Sequence, residues 1–283
     1  MKMPGVPDPL YVLARRVLLD ALEALGAQRT AVILVGAQAI YIHTGDADIA
    51  VAAMTTDGDL AIDPRELAGD PTLVEAMAGG GFVANPTEVG SWTKSVDWEG
   101  HPISVAVDLM VPEAIAGSAG RRAVRLGVHG DRTARKAKGL EAALVDCELA
   151  TLTALDEGDG RSFGVRIAGP GALLVAKLHK IHERLAVPRR LENKDALDVL
   201  RLLRGVPIRR TVYALGLLLG DPVAEAVTAE AVGFLAQLFS APSGEGSRMA
   251  AAAAAGLVDE ATITQSCAVL AEELLAGVAS RPV

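Results

Sequence analysis

Aromatic residues are scarce in this 283-residue chain, at 3% of the total. A surface that binds nucleic acid by stacking bases on rings is therefore a poor fit. The core has to be filled by Ala, Val, Leu and Ile. Cysteine is nearly absent too: Cys147 and Cys267 lie far apart and in no metal-ligand spacing. That excludes a disulfide framework and a cysteine zinc site, and a reducing, cytoplasmic setting suits two inert core thiols. Positive charge is not in excess, with 27 Lys and Arg against 35 Asp and Glu and a net charge of −8. A protein coated in basic charge is excluded, though a local basic groove is not. Long apolar runs are missing. The start, MKMPGVPDPL, holds none of signal-peptide length, and MAAAAAAGLV is too short and weakly apolar to cross a bilayer. No membrane partner is expected, and the alanine run is expected to be helical. Neither GxGxxG nor GxxxxGK[ST] occurs, so the Rossmann and P-loop readings lack their motifs.

What is present can bury a large core: 51% of residues are hydrophobic and 22% charged. The length is comfortable for two domains. Leu10, Val12, Leu13, Val17, Leu18, Leu22 and Leu25 form one apolar stripe, which predicts a helix over 8–27 ending at Gly26. Ala31–Val35 is a short, continuously apolar run typical of a buried strand. Gly36 turns the chain, and a short helix from Gln38 to His43 ends at Gly45. TTDGDLAID reads as a strand carrying acids at one end. A helix is expected from about Pro64 to Met77, stopped by the triple glycine. SWTKSVDWEG and HPISVAVDLMVP read as two strands turning at Glu99-Gly100. ALVDCELATLTAL and RSFGVRIAG are further strand candidates. Helices are expected from Pro170 onward, broken near Pro188, resuming at NKDALDVLRLLRG and continuing to the end. The expected fold class is α/β of the α+β kind: a small mixed sheet with helices over 1–168, then a helical domain over 169–283.

The chemistry centres on Asp57 and Asp59. At i and i+2 on a strand their carboxylates face the same side, repel each other and favour a divalent cation. Such a pair is also what a solvated polar turn looks like. Asp46 and Asp48 have the same spacing, in the loop just past the helix, and are read as solvated. Asp108 strengthens the first pair, because a carboxylate inside the apolar strand SVAVDLMVP needs a partner or a metal. Its alternative is an edge-strand acid facing water. Two acids on one strand and one on a neighbour is the arrangement of two-metal phosphoryl transfer. Gly36 and Ala37, at a strand-to-helix turn, could bring backbone N–H groups to a phosphate. Lys177, Lys180 and Arg184 share one face of a later helix, and Asp195 and Asp198, one turn apart, could pair with that face or reach the site. His179 and His182 are read as surface or core residues. Residues 121–138 carry seven Lys or Arg against one Asp, a stretch that is either a solvated loop or a track for a nucleic-acid backbone.

LVGAQAIYIHTG followed by TTDGDLAI resembles the glycine turn and acidic motif of the polymerase-β-like nucleotidyltransferases. LLVAKLHKIHERLAVPRRLENKDALDV resembles the downstream Lys, Arg and Asp signature of the AbiEii/AbiGii-type toxin branch. The resemblance implies a nucleotidyltransferase domain over 1–168, with Asp57, Asp59 and Asp108 as metal-binding acids for Mg²⁺ or Mn²⁺. It implies Lys177 and Asp195 as the motif lysine and following acid, and Gly36, Ala37, Lys177, Lys180 and Arg184 at the nucleotide. The implied reaction moves an NMP from an NTP co-substrate to an acceptor hydroxyl, with the tRNA 3′ end as acceptor, reached through Arg121–Lys138. A cognate antitoxin, as in a toxin–antitoxin or phage-defence system, is an implied partner. The chain departs from the pattern in three places. Gly36-Ala37-Gln38-Ala39 replaces a Gly-Gly-Ser or Gly-Ser turn, Gly58 replaces an apolar residue, and Lys194-Asp195 replaces Arg-Asp. Rival readings are a small-molecule or a protein nucleotidyltransferase, and a catalytically dead binding or antitoxin-like module.

Overall fold

The computed structural model describes residues 7–45, 55–116, 122–187 and 192–281. Among them the first helix, α1 (Pro9–Leu25), begins as its residues dictate. Asp8 accepts a hydrogen bond from the Leu10 N–H, and Pro9 fills a position where no N–H is needed. A 3₁₀ turn (Gly26–Ala31) leads into β1 (Val32–Val35), shorter by one residue than the apolar run suggests. Helix α2 (Gly36–Thr44) starts at the glycine itself. Strand β2 (Asp57–Ile62) follows. The helix expected from Pro64 is a correction: α3 spans only Leu73–Gly79. Asp63 binds the Arg65 N–H with its side chain, a turn that competes with helix, and Pro71 interrupts the run. Thr72 and Glu75 then form a reciprocal capping box that starts the helix late.

Strands β3 (Val83–Ala84), β4 (Ser91–Trp98), β5 (His101–Pro112), β6 (Arg135–Ala137), β7 (Cys147–Thr153) and β8 (Ser162–Ala168) complete the sheet. Glu99 and Gly100 both adopt positive φ, as a tight hairpin between β4 and β5 requires. The strand expected from Ala143 starts only at Cys147, because Leu140–Leu144 forms a 3₁₀ turn. The sheet has eight strands in the order β3-β4-β5-β2-β1-β8-β7, with β6 also pairing β5. It is mixed: β1 is antiparallel to β2 and parallel to β8, whereas β2 is parallel to β5. The two strands the pattern missed, β3 and β6, are two and three residues long, too short to show a period.

All described elements past β8 are helical: α4 (Pro170–Leu185), α5 (Asn193–Gly205), α6 (Ile208–Leu219), α7 (Glu225–Phe239), α8 (Glu245–Ala253) and α9 (Glu260–Ala279). The alanine run is helical only in its first part: Ala250 to Ala253 close α8, and Ala254 and Ala255 lie in the turn beyond it. None of the described helices is long and apolar enough to cross a membrane.

The chain divides into two compact units. The first holds the described residues within Met1–Gln38, Ala53–Ala137 and Glu148–Ile167. The second holds those within Ala39–Ala52, Lys138–Cys147 and Ala168–Val283. In the first, α1 packs on β2, β5 and α3. It buries Leu18, Leu19, Leu22 and Leu25 completely, each contributing about 1.5–3 kcal/mol. In the second, α4 is packed by α5, α6 and α7, around Leu173, Leu178, Leu215 and Leu235.

Candidate functional site

Strand β2 is built to display acids on one face only. Its pairing to both β1 and β5 fixes its backbone, and residues alternate in facing. Gly58 faces α1, where a Cβ would lie 3.1 Å from Leu18 Cδ1 and 3.6 Å from Val107 Cγ2. A side chain there would press on the Leu18 side chain, which would have to give way. Asp57 and Asp59 face the other way and are half-buried. Asp59 is the register partner of Val35 on one side and of Asp108 on the other. Adjacent strands put such residues about 4.8 Å apart. The sheet thus brings all three sequence-predicted acids to one place.

Gly36 closes over the acids. It has φ of 69°, and a Cβ there would lie 2.0 Å from Asp59 Oδ2. The turn is a glycine because the Asp59 carboxylate occupies the space a side chain would need. Ala37 follows it in the first turn of α2, buried and without a polar side chain.

Asp57 is held by a chain of buried polar groups. Thr55 donates its hydroxyl to Asp57 Oδ1 at 2.5 Å. Gln38 Nε2 donates to the Asp57 carbonyl oxygen at 2.9 Å, and Gln38 Oε1 accepts from Arg15 Nε at 2.8 Å. The amide orientation is forced, since a guanidinium only donates and a carbonyl only accepts. Arg15 also donates to the Thr153 carbonyl at 2.9 Å and the Tyr11 hydroxyl at 3.0 Å. Burial lowers the Arg15 pKa and raises that of Tyr11. Sequence reasoning missed Arg15 and Gln38 as positioning groups. The signal was present: Arg15 lies one turn past Tyr11 on the face that α1 buries, where a lone cation demands acceptors.

Asp108 has a partner. Its Oδ2 accepts from Arg135 Nη2 at 2.9 Å, an arginine supplied by β6, which pairs with β5 just beyond the acid. Among the described residues no three His, Cys, Asp or Glu side chains converge as a metal site. The register sets three acids side by side; the Arg135 contact turns Asp108 to a cation. What fits a metal is the pair Asp57 and Asp59, two hard carboxylates on a rigid strand. That is the number Mg²⁺ ordinarily takes from protein, leaving the rest of its shell to water and phosphate oxygens.

The remaining predicted residues gather in the second unit. Asp195, in the first turn of α5, is fully buried and receives three cations from α4: Lys177 at 2.8 Å, Lys180 at 3.0 Å and Arg184 at 2.9 Å. Lys177 Nζ also donates to Asp198 at 2.7 Å, and Arg184 reaches Glu192 at 2.8 Å. Burial opposes the Lys177 charge, yet the two carboxylates outweigh it and hold its pKa well above the ordinary lysine value. Burial likewise opposes the Asp195 charge, and Lys177 and Lys180 overcome that, keeping its pKa well below the carboxylate range. The basic face of α4 is an ion cluster within its own unit, the pairing alternative for Asp195 and Asp198.

The basic stretch is not a row of open cations. Arg121 lies outside the described residues, as do Asp46, Asp48 and Pro188. Arg135 is on Asp108, Arg132 reaches the Pro86 carbonyl, and Lys138 pairs with Glu230 at 2.7 Å. Arg125 is exposed. His179 is buried and donates from Nε2 to the Val227 carbonyl at 2.8 Å, while His182 stacks on Phe234 at 3.9 Å. Cys267 is buried, and Cys147 is half-buried rather than a core residue.

Comparison with protein-family models, with curated proteins and with solved structures gives no match.

Proposed function

We propose that this chain is a metal-dependent nucleotidyltransferase whose donor site is the Gly36 turn with Asp57 and Asp59. One observation carries the reading: two carboxylates share one face of a central strand beside a glycine turn, with Asp108 in register next to them. A divalent ion held there by Asp57 and Asp59 would neutralise triphosphate charge. The acceptor hydroxyl oxygen bonds to the α-phosphorus, the bond to the β-phosphate oxygen breaks, and pyrophosphate leaves. Asp108 takes the hydroxyl proton. The residues of this chain contribute position and charge, which is most of what phosphoryl transfer needs from a protein. The acceptor in this reading is the tRNA 3′ end, with a toxin-type role, as the family resemblance implies. Lys177, its ammonium shared by two buried carboxylates, is a structural cation in this reading.

The test is transfer of label from α-labelled NTPs to total tRNA, run with Asp57→Asn in parallel. Labelled tRNA with the native protein and none with the variant supports the proposal. Label transfer that survives in a folded Asp57→Asn protein refutes it. A second reading, nucleotide binding without transfer, is favoured by the hold of Arg135 on Asp108. Calorimetric Mg-NTP binding with no labelled product from any acceptor would select it.

A further inference from the structure

Beside Asp108 the sheet places a hydroxyl that the fold itself does not use. Ser91 opens β4 and is the register partner of Asp108. Cross-strand partners face the same side, with Cβ atoms about 5 Å apart, so Ser91 stands on the acid face. Only 5% of it is exposed. Its backbone is tied down: the N–H donates to the Glu88 carbonyl at 3.3 Å, and the carbonyl accepts from the Asn85 N–H at 2.8 Å. Its hydroxyl has no hydrogen-bond partner among the described residues, yet the oxygen is not sealed from outside. A buried hydroxyl without a partner weakens a fold unless something beyond the chain supplies one. Asp108 is presented next to it in one orientation. Arg135 Nη2 donates to Oδ2 at 2.9 Å, and among the described residues Oδ1 has no partner. Further along the same face Thr93 stands opposite Ala106 and Ser95 opposite Ser104. Strands β4 and β5 therefore raise no large side chain beside the pair. A hydroxyl both donates and accepts, whereas a carboxylate oxygen only accepts. Side by side they match two hydroxyls on adjacent carbons. A phosphate would be repelled by the carboxylate.

We infer that Ser91 and Asp108 form a seat for a vicinal diol, the 2′- and 3′-hydroxyls of a terminal ribose, and that Ser91 selects an RNA end over a deoxyribose end as acceptor. This rests on the transferase reading above. The 3′-hydroxyl passes its proton to Asp108 Oδ1 as its oxygen bonds to the α-phosphorus and pyrophosphate departs. The 2′-hydroxyl stays hydrogen-bonded to Ser91 Oγ and is unchanged by the reaction. That hydroxyl is the group by which a protein tells RNA from DNA. Ser91 thus contributes specificity, while Asp108 handles the proton.

The experiment measures kcat/KM for label transfer by the full chain to a tRNA ending in ribose and to the same tRNA ending in 2′-deoxyribose. The native protein is expected to favour the ribose end about tenfold, the effect of one neutral hydrogen bond. In Ser91→Ala that preference is expected to vanish, with the loss confined to the ribose acceptor. The deoxy acceptor deletes the same contact from the other side. A folding defect lowers transfer to both acceptors alike and so cannot imitate the result. Equal use of the two ends by the native protein, or a preference that survives in Ser91→Ala, overturns the seat. The transferase reading is checked separately with Asp57→Asn on the ribose acceptor. If the native protein labels neither tRNA, or folded Asp57→Asn labels as well as the native protein does, that reading falls and the seat with it. If Asp57→Asn is inactive while Ser91→Ala keeps the preference, the seat alone falls.

Discussion

Replacing Gly36 with alanine separates the two demands made on that turn. An alanine there faces a backbone cost, because φ is 69°, and a steric cost, because its Cβ lands on Asp59. The backbone term is about 1–2 kcal/mol. For the steric term, the Cβ would lie 2.0 Å from Asp59 Oδ2, 2.6 Å from Cγ and 2.7 Å from Cβ. Rotating the Asp59 side chain moves its oxygens but not its Cβ, which β2 fixes between β1 and β5. Restoring an ordinary contact of about 3.5 Å takes a backbone shift of roughly 0.8 Å. Overpacking of that kind costs about 1–3 kcal/mol. Gly45 supplies the control: its φ is 53°, and among the described residues nothing lies within 4 Å of its Cβ position. Gly45→Ala should therefore lose about 1–2 kcal/mol and Gly36→Ala about 2–5 kcal/mol in urea unfolding. Gly36→Ala should also lose Mn²⁺ binding and at least a hundredfold in label transfer, the scale of a misplacement near 1 Å. Gly45→Ala should lose neither. Equal stability in the two variants, with native Mn²⁺ affinity in Gly36→Ala, would refute the claim that the turn is glycine to accommodate Asp59.

Gln38→Ala leaves the buried Arg15 Nε and the Asp57 carbonyl without their partner, so urea unfolding should show a loss of about 1–3 kcal/mol; a loss below about 0.5 kcal/mol, the order of a surface change, would mean the chain of bonds does not hold Asp57. Lys177→Met removes the close partner of Asp198, which keeps its longer ion pair with Arg201 at 4.0 Å, and weakens the hold on Asp195, and should cost about 3–5 kcal/mol. Lys177→Met/Asp198→Asn should recover part of that, because Asp195 keeps Lys180 and Arg184; no recovery counts against the cluster. The same cluster sets a pH window. Asp195 is depressed when folded, so its contribution is present above the unfolded carboxylate pKa near ~4 and is lost as pH falls further. Lys177 is raised when folded, so its contribution is complete below the unfolded lysine pKa of about 10.4 and is lost as pH rises beyond it. The stability gap between the native chain and Lys177→Met should be flat from about pH 5 to 9; a gap that shrinks within that range would contradict the assignment.

Much of this architecture was legible from periodicity. The apolar stripe of α1, the buried run of β1 and the alternating β4–β5 hairpin appear where their patterns put them. So do the acids, because a strand's two-residue period fixes their common face without knowledge of its neighbours. The misreadings have local causes. Residues 64–72 look helical in composition, but Asp63 and Pro71 divert the backbone before Thr72 can cap α3. β6 is three residues long and exists because β5 offers an edge. Partnerships across long sequence separations were out of reach. Arg135 with Asp108 and Arg15 with Gln38 follow from strand register and helix docking, which no spacing rule encodes. Gln38 entered only as a member of the altered turn; its role is at its amide end, toward Asp57.

The interleaved make-up of the second unit has a consequence for how the chain can be cut. The segment Lys138–Cys147 belongs with the helices that follow residue 168, not with the strands around it in sequence. Its 3₁₀ turn packs on α4 and α7, the Asp146 carbonyl accepts the Gly169 N–H at 2.7 Å, and the Asp146 carboxylate accepts the Ala172 N–H at 2.9 Å. Asp146 is thus the cap of α4, delivered from outside the helix. A fragment beginning at Gly169 would carry all six helices but start α4 without its acceptor, a loss of about 1 kcal/mol before any lost packing is counted. During synthesis the segment must wait for α4 to emerge before it has a seat. The helical half is therefore not an interchangeable cassette, and proteases or engineered fusions that separate the chain at its obvious seam remove a piece that the tail needs.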